Sequence, residues 1–389
     1  MAATIKPRDT KDLQQAIEWA LSQGVTLDVR GQGSKLQLGK PMRCDQELDL
    51  SGITGIGDYA PEELVVTLRA GTPLVEVEAL LAQRNQMLAF EPPDLGPLLG
   101  RAAGQGTLVG ALMGNLAGPR RISAGAARDH LLGFSGVNGR GEIFKSGGRV
   151  MKNVTGYDLS KLLAGSWGTL AVLDEVSVKV LPAPDQTRTL LLLGLADDAA
   201  VKAMCLAMVS PHDVSGAAHV AGRTALRVEG VAPSVEARVQ GLRGLLAGSG
   251  HKMEELGTLE SLTFWREVRD ATVLNAASDA IVWKISCPPT EGAAVVARVK
   301  AARPQALAVY DWSGGLIWLA LPTSDDADHT IVRGALGSTG GHATLIRAPE
   351  PVRGRVPVFH PQPAPLAALA ARVKESFDPK GLFNPGRMG

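Results

Sequence analysis

The residues of this chain whose types and spacing could do chemistry are glycines set among hydroxyl, amide and basic side chains. Arg30-Gly31-Gln32-Gly33-Ser34-Lys35 is the first such cluster. Its two glycines can expose consecutive backbone N–H groups, Ser34 adds a hydroxyl, and Arg30 and Lys35 add positive charge. Such a nest suits a pyrophosphate. Taken alone, a loop of this kind reads more often as an ordinary tight turn. A second cluster runs from Gly106 to Gly133, with Gly106, Gly110, Gly114 and Gly118 four residues apart. Glycines so spaced let backbone lie flat against a planar ligand, because no Cβ atoms intervene. Thr107 lies in the same run, and Asn115, Ser123 and Asp129 can hydrogen-bond polar edges. Leu108, Val109, Leu112 and Leu116 are too apolar for a solvated loop. The third cluster is Lys152-Asn153-Val154-Thr155-Gly156-Tyr157-Asp158 followed by Gly165-Ser166-Trp167-Gly168-Thr169. Three glycine-polar clusters in the first half of the chain point to a long ligand laid across several loops.

Other chemistries lack their signatures. No serine sits in GxSxG, so a nucleophile elbow is excluded. Gly33 to Lys40 approaches a P-loop, but the gap to Gly39 is one residue too long and Pro41 stands where a Ser or Thr is needed. No GxGxxG follows a strand, which weighs against a Rossmann dinucleotide fold. The seven histidines form no HxH, HExxH or HxxxH pair, so no metal site is expected. Cys44, Cys205 and Cys287 form no CxxC pair, which excludes a zinc ribbon or an iron–sulfur cluster coded in this chain. They read as buried, reduced thiols. Lys and Arg number 40 against 39 Asp and Glu, a net charge of +1, and aromatics are 4%. That balance excludes a strongly basic nucleic-acid binder as the default. Glycine stands at 45 of 389 residues with no three-residue period, so its excess must be explained locally. The N-terminus has no apolar signal core, and the uncharged stretch 102–119 is too rich in glycine to span a membrane. A cytoplasmic protein is expected.

The elements that must position these clusters follow from periodicity. Leu13, Ala16, Ile17, Ala20 and Leu21 mark a helix over Thr10 to Gly24, with Asp9 or Thr10 as cap and Gly24 as stop. A strand over Val25 to Val29 feeds the Arg30–Lys35 loop. Leu64 to Ala70 reads as a strand, and Pro73 opens a second helix. Leu159 to Ala164 reads as a short helix and Leu170 to Leu181 as a strand. Beyond Pro182-Ala183-Pro184 the rhythm changes. Two successive βαββαβ passes, read over 189–247 and 280–347, give the ferredoxin-like pattern. They are separated by a helix over Thr258 to Asp270, and the second pass includes a helix over Asp325 to Leu336. The Pro-rich stretch Pro349 to Pro365 is expected to be extended, and a helix over Leu366 to Phe377 follows.

The order of these features resembles the FAD-binding domain of the vanillyl-alcohol oxidase flavoproteins, the PCMH-type domain. The resemblance is carried by the Arg30–Lys35 loop, Ala70-Gly71-Thr72-Pro73, Gln86-Met87-Leu88, the run Gly106 to Gly133 and Gly165 to Leu170. The tail Phe377-Asp378-Pro379 with Asn384-Pro385-Gly386 resembles the closing motif of FAD-linked 2-hydroxyacid oxidases. Glu91-Pro92-Pro93, Ala117-Gly118-Pro119-Arg120-Arg121 and the stretch from Val150 to Leu159 are similar to the FAD-binding subunits of bacterial glycolate oxidase (glycolate dehydrogenase). The likeness is good over 5–183 and the tail, and weak between them.

The resemblance implies an α+β fold. It comprises a PCMH-type FAD-binding domain over 1–182, a ferredoxin-like duplicated α+β cap domain over 183–350, and a C-terminal segment over 351–389 that returns to the first domain. It places the FAD pyrophosphate on Arg30, Gly31, Gln32, Gly33, Ser34 and Lys35. Thr107, Gly110, Asn115, Gly118, Ser123 and Asp129 would line the flavin and ribityl chain, with Pro92 also in the cofactor-binding set. Gly165, Thr169 and Val172 would support the adenosine side or the isoalloxazine edge. Two residues depart from the family pattern: Val109 replaces a glycine and Met113 a small residue. No His or Cys stands in the pyrophosphate loop, where some relatives attach flavin covalently, so non-covalent FAD is expected. Many oxidases of the family carry paired metal-binding histidines in the second domain. The comparable region here reads Tyr310-Asp311-Trp312-Ser313-Gly314-Gly315, so no metal is expected and no catalytic base is assigned. Arg347, Arg353 and His360 could hold a carboxylate or act as a base, although they read more readily as surface residues beside a proline-rich link. The expected setting is a complex with a second, larger FAD-containing catalytic subunit and an iron–sulfur subunit, acting on glycolate or another small 2-hydroxy acid. No nucleic acid and no direct membrane span are expected, and membrane attachment would come through partners. An autonomous D-lactate-type 2-hydroxyacid dehydrogenase and a scaffold subunit that has lost flavin are the alternatives.

Overall fold

The computed structural model describes residues 4–149, 156–276 and 278–388. It divides into two compact units. The first comprises Met1–Ala117, Gly125–Ala183 and Pro361–Gly389, and the second Gly118–Ala124 and Pro184–His360.

The first unit opens on α1 (Thr10–Gln23). The Asp9 carboxylate caps it by accepting from the Asp12 N–H at 2.8 Å, and Gly24 ends it at φ 65°. Leu13, Ala16, Ile17 and Ala20 form its buried stripe. Strands β1 (Leu27–Arg30) and β2 (Gln46–Asp49) pair in parallel, with Thr4–Ile5 beyond β2. Strands β3 (Ile56–Ala60), β4 (Val65–Arg69), β5 (Leu131–Asn138), β6 (Ile143–Gly147) and β7 (Ala171–Lys179) form an antiparallel sheet in the order β3-β4-β7-β5-β6. β5 and β6 lie in the glycine-rich stretch that sequence periodicity leaves unassigned. Gly136 is there for packing, since a Cβ would stand 2.6 Å from the Val172 carbonyl oxygen. Part of the glycine excess therefore serves sheet contact rather than a ligand. The C-terminal tail returns to this unit. The Leu27 N–H donates to the Leu382 carbonyl at 2.8 Å, and the Asn384 N–H to the Leu27 carbonyl at 3.0 Å, so the tail runs alongside β1.

The second unit is one eight-stranded antiparallel sheet. Its strands are β8 (Gln186–Leu193), β9 (Val214–Val220), β10 (Arg223–Gly230), β11 (Met253–Leu256), β12 (Ile281–Ser286), β13 (Leu307–Asp311), β14 (Leu316–Leu321) and β15 (His342–Arg347). Their order is β11-β8-β10-β9-β13-β14-β12-β15. Each half is a ferredoxin-like four-strand set, and the two meet at β9 and β13 through the His219–Tyr310 pair. One face carries Leu190, Leu192, Leu226, Trp283, Ile285 and Leu319, buried in the same core as residues of the helices Asp197–Met208, Ala232–Leu246 and Gly292–Ala302. On the opposite face of the first half, helix Thr258–Arg269 packs on β8, its Trp265 Nε1 donating to Thr189 Oγ1 at 2.8 Å. Segment Gly118–Ala124 is tied into this unit by a buried ion pair. Arg120 donates to both Glu229 carboxylate oxygens, at 2.9 and 2.6 Å. Burial pushes the Glu229 carboxyl up, but Arg227 and Arg120 outweigh it and hold it down at about 2.

Two stretches differ from the sequence expectation. The helix expected over Asp325 to Leu336 starts only at His329, because Ala327 and Asp328 adopt φ 53° and 51°. The expected extended run from Pro349 contains a short helix, Glu350–Arg355, whose Pro351 sits in the first turn, where a missing N–H costs nothing. No helix among the described residues is long and apolar enough to cross a membrane.

Candidate functional site

A groove in the first unit is walled by the loop Val29 to Leu36 that leaves β1, by helix α2 (Leu108–Met113) with its flanking residues Thr107 and Gly114, by Trp167 and Gly168, and by Asn384 and Arg387 of the tail. Its cavity volume is about 100 Å³. The loop is held open from below. Asn384 Oδ1 accepts from the Val29 N–H at 2.9 Å, and the Arg387 guanidinium donates to the Lys35 carbonyl at 2.9 Å. Thr107 caps α2, its Oγ1 accepting from the Gly110 N–H at 3.0 Å. The loop passes Thr107 so closely that a Cβ on Gly31 would lie 2.9 Å from its side chain. Gly31 is thus required for the approach.

The groove has the donors of an anion site at one end. The backbone N–H groups of Gly31, Gln32, Gly33 and Ser34 meet no acceptor among the described residues. The buried Ser34 hydroxyl lies 3.3 Å from Lys35 Nζ. Burial pushes the Lys35 ammonium down to about 8, against the pull of Asp94 and with the push of Arg387. Burial thus disfavours the charged ammonium, and the two negative charges of a pyrophosphate would restore it. Gly106 and Gly110 border the same point, each with its missing Cβ 3.7 Å from Lys35 Nζ. These donors fit a dinucleotide pyrophosphate. Val109 and Met113 line the adjoining wall with apolar side chains, 6% and 8% exposed. The flat, side-chain-free backbone expected there is replaced by a hydrocarbon surface at these two points.

The structure sorts the residues singled out in the sequence. Arg30 lines the groove, yet its guanidinium is committed to Asp28 at 2.9 and 2.5 Å and to Glu47 at 2.6 Å. Gly31, Gln32, Gly33, Ser34, Lys35, Thr107 and Gly110 all line it. Asn115, at φ 45°, accepts from the Arg128 N–H at 3.1 Å, and Asp129 accepts from the Ala126 N–H at 2.9 Å. These bonds shape the loop behind α2. Pro92 is buried outside the groove wall, Val172 lies in β7 at 1% exposure, and Thr169 donates to the Ser166 carbonyl at 2.7 Å. Gly165, at φ 92°, packs against Asn115. Gly118 and Ser123 belong to the second unit. The Gly118 carbonyl accepts from Trp312 Nε1 at 2.9 Å, and the Ser123 hydroxyl reaches the Arg120 carbonyl at 3.2 Å. Arg347 donates to the Ala280 carbonyl at 2.9 Å and Arg353 to that of Ala348 at 3.2 Å, so both tie backbone together. His360 Nδ1 accepts from the Ala343 N–H at 3.3 Å. The motif 150–155 lies outside the described residues. Sequence reasoning missed Arg387 as a wall of the groove and Asp94 as the acid whose charge acts on Lys35. The tail motif was the one signal that could have brought Arg387 in.

The fold and groove define an FAD-binding oxidoreductase of the PCMH type. Residues 1–147 match the family described as FAD binding domain. The chain is 36% identical over 376 residues to glycolate oxidase subunit GlcE of Escherichia coli (strain K12), covering 97% of this chain and 96% of that one. It is 31% identical over 201 residues to glycolate oxidase subunit GlcD of Bacillus subtilis (strain 168), covering 51% of this chain and 41% of that one. Among solved structures, 4-ethylphenol oxidase from Gulosibacter chungangensis superposes with a TM-score of 0.73 at 13% identity, covering 99% of this chain and 88% of that one. p-Cresol methylhydroxylase does so with a TM-score of 0.71 at 12% identity, with the same coverage of each chain. The chain belongs to the family of the glycolate oxidase subunit GlcE, among FAD-dependent hydroxyacid oxidoreductases, and its cofactor is FAD.

Proposed function

We propose that the chain is the FAD-binding subunit of a complex that oxidises glycolate to glyoxylate and passes the electrons to an iron–sulfur partner. The groove of the first unit is the observation that carries the reading. Its unpaired N–H groups and the half-buried Lys35 suit the pyrophosphate of a dinucleotide. Asn384 and Arg387 hold the loop that presents them. Val109 and Met113 would exclude water beside the cofactor. When bound, FAD supplies a two-electron acceptor for the hydride leaving the hydroxyl-bearing carbon. The hydroxyl proton needs a base, and no residue of this chain is assigned that role. The three cysteines are all free, Cys44 and Cys205 half-buried and Cys287 buried, and none is paired for electron transfer. Both facts support a division of labour with a second flavoprotein subunit and an iron–sulfur subunit. Attachment to the inner face of the cytoplasmic membrane through those partners belongs to the same proposal.

The purified chain is expected to be yellow and to release its flavin on acid precipitation, as a non-covalent cofactor does. Alone it should oxidise glycolate slowly, and addition of the partner subunits should raise turnover at least tenfold. Full turnover by the chain alone would show an autonomous dehydrogenase instead. A colourless protein that takes up no FAD would show a scaffold.

A further inference from the structure

A second cavity of the first unit lies along the same loop as the groove and is larger, about 460 Å³ against about 100 Å³. It shares residues 30–33 with the groove, and its remaining wall carries Glu47 and Asp49 of β2, Ser51, Arg101 and Gln105. A small-molecule site usually encloses roughly 300–1,000 Å³. The groove alone falls short of that, and the two cavities along one loop reach it. Both carboxylates of the second cavity already have partners. Glu47 meets Arg30 at 2.6 Å, and Asp49 meets Lys6 at 3.3 Å and accepts from the Ser51 N–H at 2.8 Å. The exposed Arg101 side chain makes no hydrogen bond or ion pair among the described residues, and neither do the side-chain amides of Gln32 and Gln105. The cavity therefore offers one uncommitted cation and two uncommitted amides.

The backbone that carries Arg101 is fixed, although its side chain is not. Asp94 closes a loop by accepting from the Gly96 N–H at 3.0 Å and from the Gly104 N–H at 2.7 Å. Leu95, Leu98 and Leu99 of that loop are buried, and the Arg101 N–H donates to the Gly96 carbonyl at 2.8 Å. Gly96 admits the returning chain, since a Cβ there would lie 2.7 Å from the Ala102 carbonyl oxygen. The Asp94 charge also favours the Lys35 ammonium. The loop thus starts within the field of Lys35 and delivers Arg101 to the wall of the second cavity. A guanidinium with no protein partner keeps its whole fork of donors for an incoming phosphate, which it can hold with two parallel bonds. Arg30, at the head of the shared loop, has spent its own donors on Asp28 and Glu47.

We propose that Arg101 is the second cation of the FAD pyrophosphate site, serving it from the second cavity as Lys35 serves it from the groove, in the part that Arg30 cannot take. The inference rests on the reading that the loop over 30–35 holds the pyrophosphate. Arg101 is a binding residue: its charge fixes the phosphates and has no part in the transfer of hydride.

The test is calorimetric titration of the full-length apoprotein with FAD, ADP and riboflavin, the last a flavin without phosphate. The parent should bind FAD and ADP through their phosphates, and riboflavin far more weakly. Arg101→Met should weaken FAD and ADP about 5–20-fold in roughly 50 mM salt, the loss of one exposed charge-assisted contact, and should leave riboflavin unchanged. Arg101→Lys, which keeps the charge without the fork, should fall between parent and Arg101→Met. The loss in Arg101→Met should shrink in roughly 0.5 M salt, because an exposed charge is screened. The melting temperature of the apoprotein should not move, because the side chain touches no partner. An Arg101→Met chain that binds FAD and ADP as the parent does overturns the inference and leaves the loop reading standing. Equal losses of riboflavin and FAD, or a melting temperature several degrees lower, also overturn it, since either would make Arg101 a structural residue. A parent that binds riboflavin as tightly as FAD contradicts the placement of the pyrophosphate on the loop, and the inference falls with it.

Discussion

Lys35 and Arg30 flank one loop and carry the same charge, yet their surroundings separate them. Arg30 is neutralised by Asp28 and Glu47, whereas Lys35 is half-buried beside Ser34 with its ammonium pushed down to about 8. A cation already spent on two carboxylates has little left for a phosphate. Lys35→Met should therefore lower FAD affinity about 10–100-fold, the effect of one lost charge-assisted contact. Arg30→Gln should change it less than about threefold and act on stability instead, as a partly exposed ion pair does. The pH dependence has a definite sign. Below pH 8 Lys35 is protonated before the pyrophosphate arrives. Above pH 8 binding must take up a proton, so FAD affinity should fall by up to about tenfold per pH unit. The charged groups facing Lys35 are Asp94, which favours its ammonium, and Arg387, which opposes it. Fluorescence titrations of the apoprotein with FAD at pH 7, 8 and 9 measure both effects. A larger loss at Arg30 than at Lys35, or a flat profile in Lys35-containing protein, would reverse the assignment.

At the scale of elements, the tail and β1 act together. Asn384 is 1% exposed, accepts from the Val29 N–H and donates to the Trp167 and Gly168 carbonyls at 3.0 and 3.2 Å. One side chain thus joins three walls of the groove. Asn384→Ala leaves those buried groups unsatisfied, which should cost about 2–4 kcal/mol and weaken FAD binding with it. Thermal melts of the apoprotein read the first effect, and an unchanged melt would show that the tail is not a wall of the site. How far such features can be read in a sequence depends on whether their cause is local. α1 is legible because Leu13, Ile17 and Ala20 repeat at its own period and Asp9 and Gly24 mark its ends. The duplicated strand-helix rhythm of the second unit is legible for the same reason. β5 and β6 are not, because Gly133 and Gly136 answer to backbone in neighbouring strands. The loop Gly31–Lys35 can be recognised from its residue types, but the commitment of Arg30 to Glu47 and the arrival of Arg387 are set by residues far away in sequence. Gly118 and Ser123 sit in a glycine-rich run that looks continuous, yet the Trp312–Gly118 and Arg120–Glu229 bonds hold them in the second unit.

For the whole molecule, near-neutral charge and abundant glycine left many functions open. The glycine now has two causes. Gly31 and its neighbours permit close approach at the groove, and others such as Gly136 permit close approach of strands. Family membership settles the cofactor as FAD, and the groove offers a place for it in the first unit. On the function proposed above, the chain holds its own flavin and relies on partners for full turnover. The most direct test is the complex purified with its partners, with flavin counted per complex before and after Lys35→Met in this chain. The account predicts that the variant complex assembles normally and loses one FAD per copy of this chain. An unchanged flavin count, at an FAD concentration where the isolated variant is empty, would contradict it.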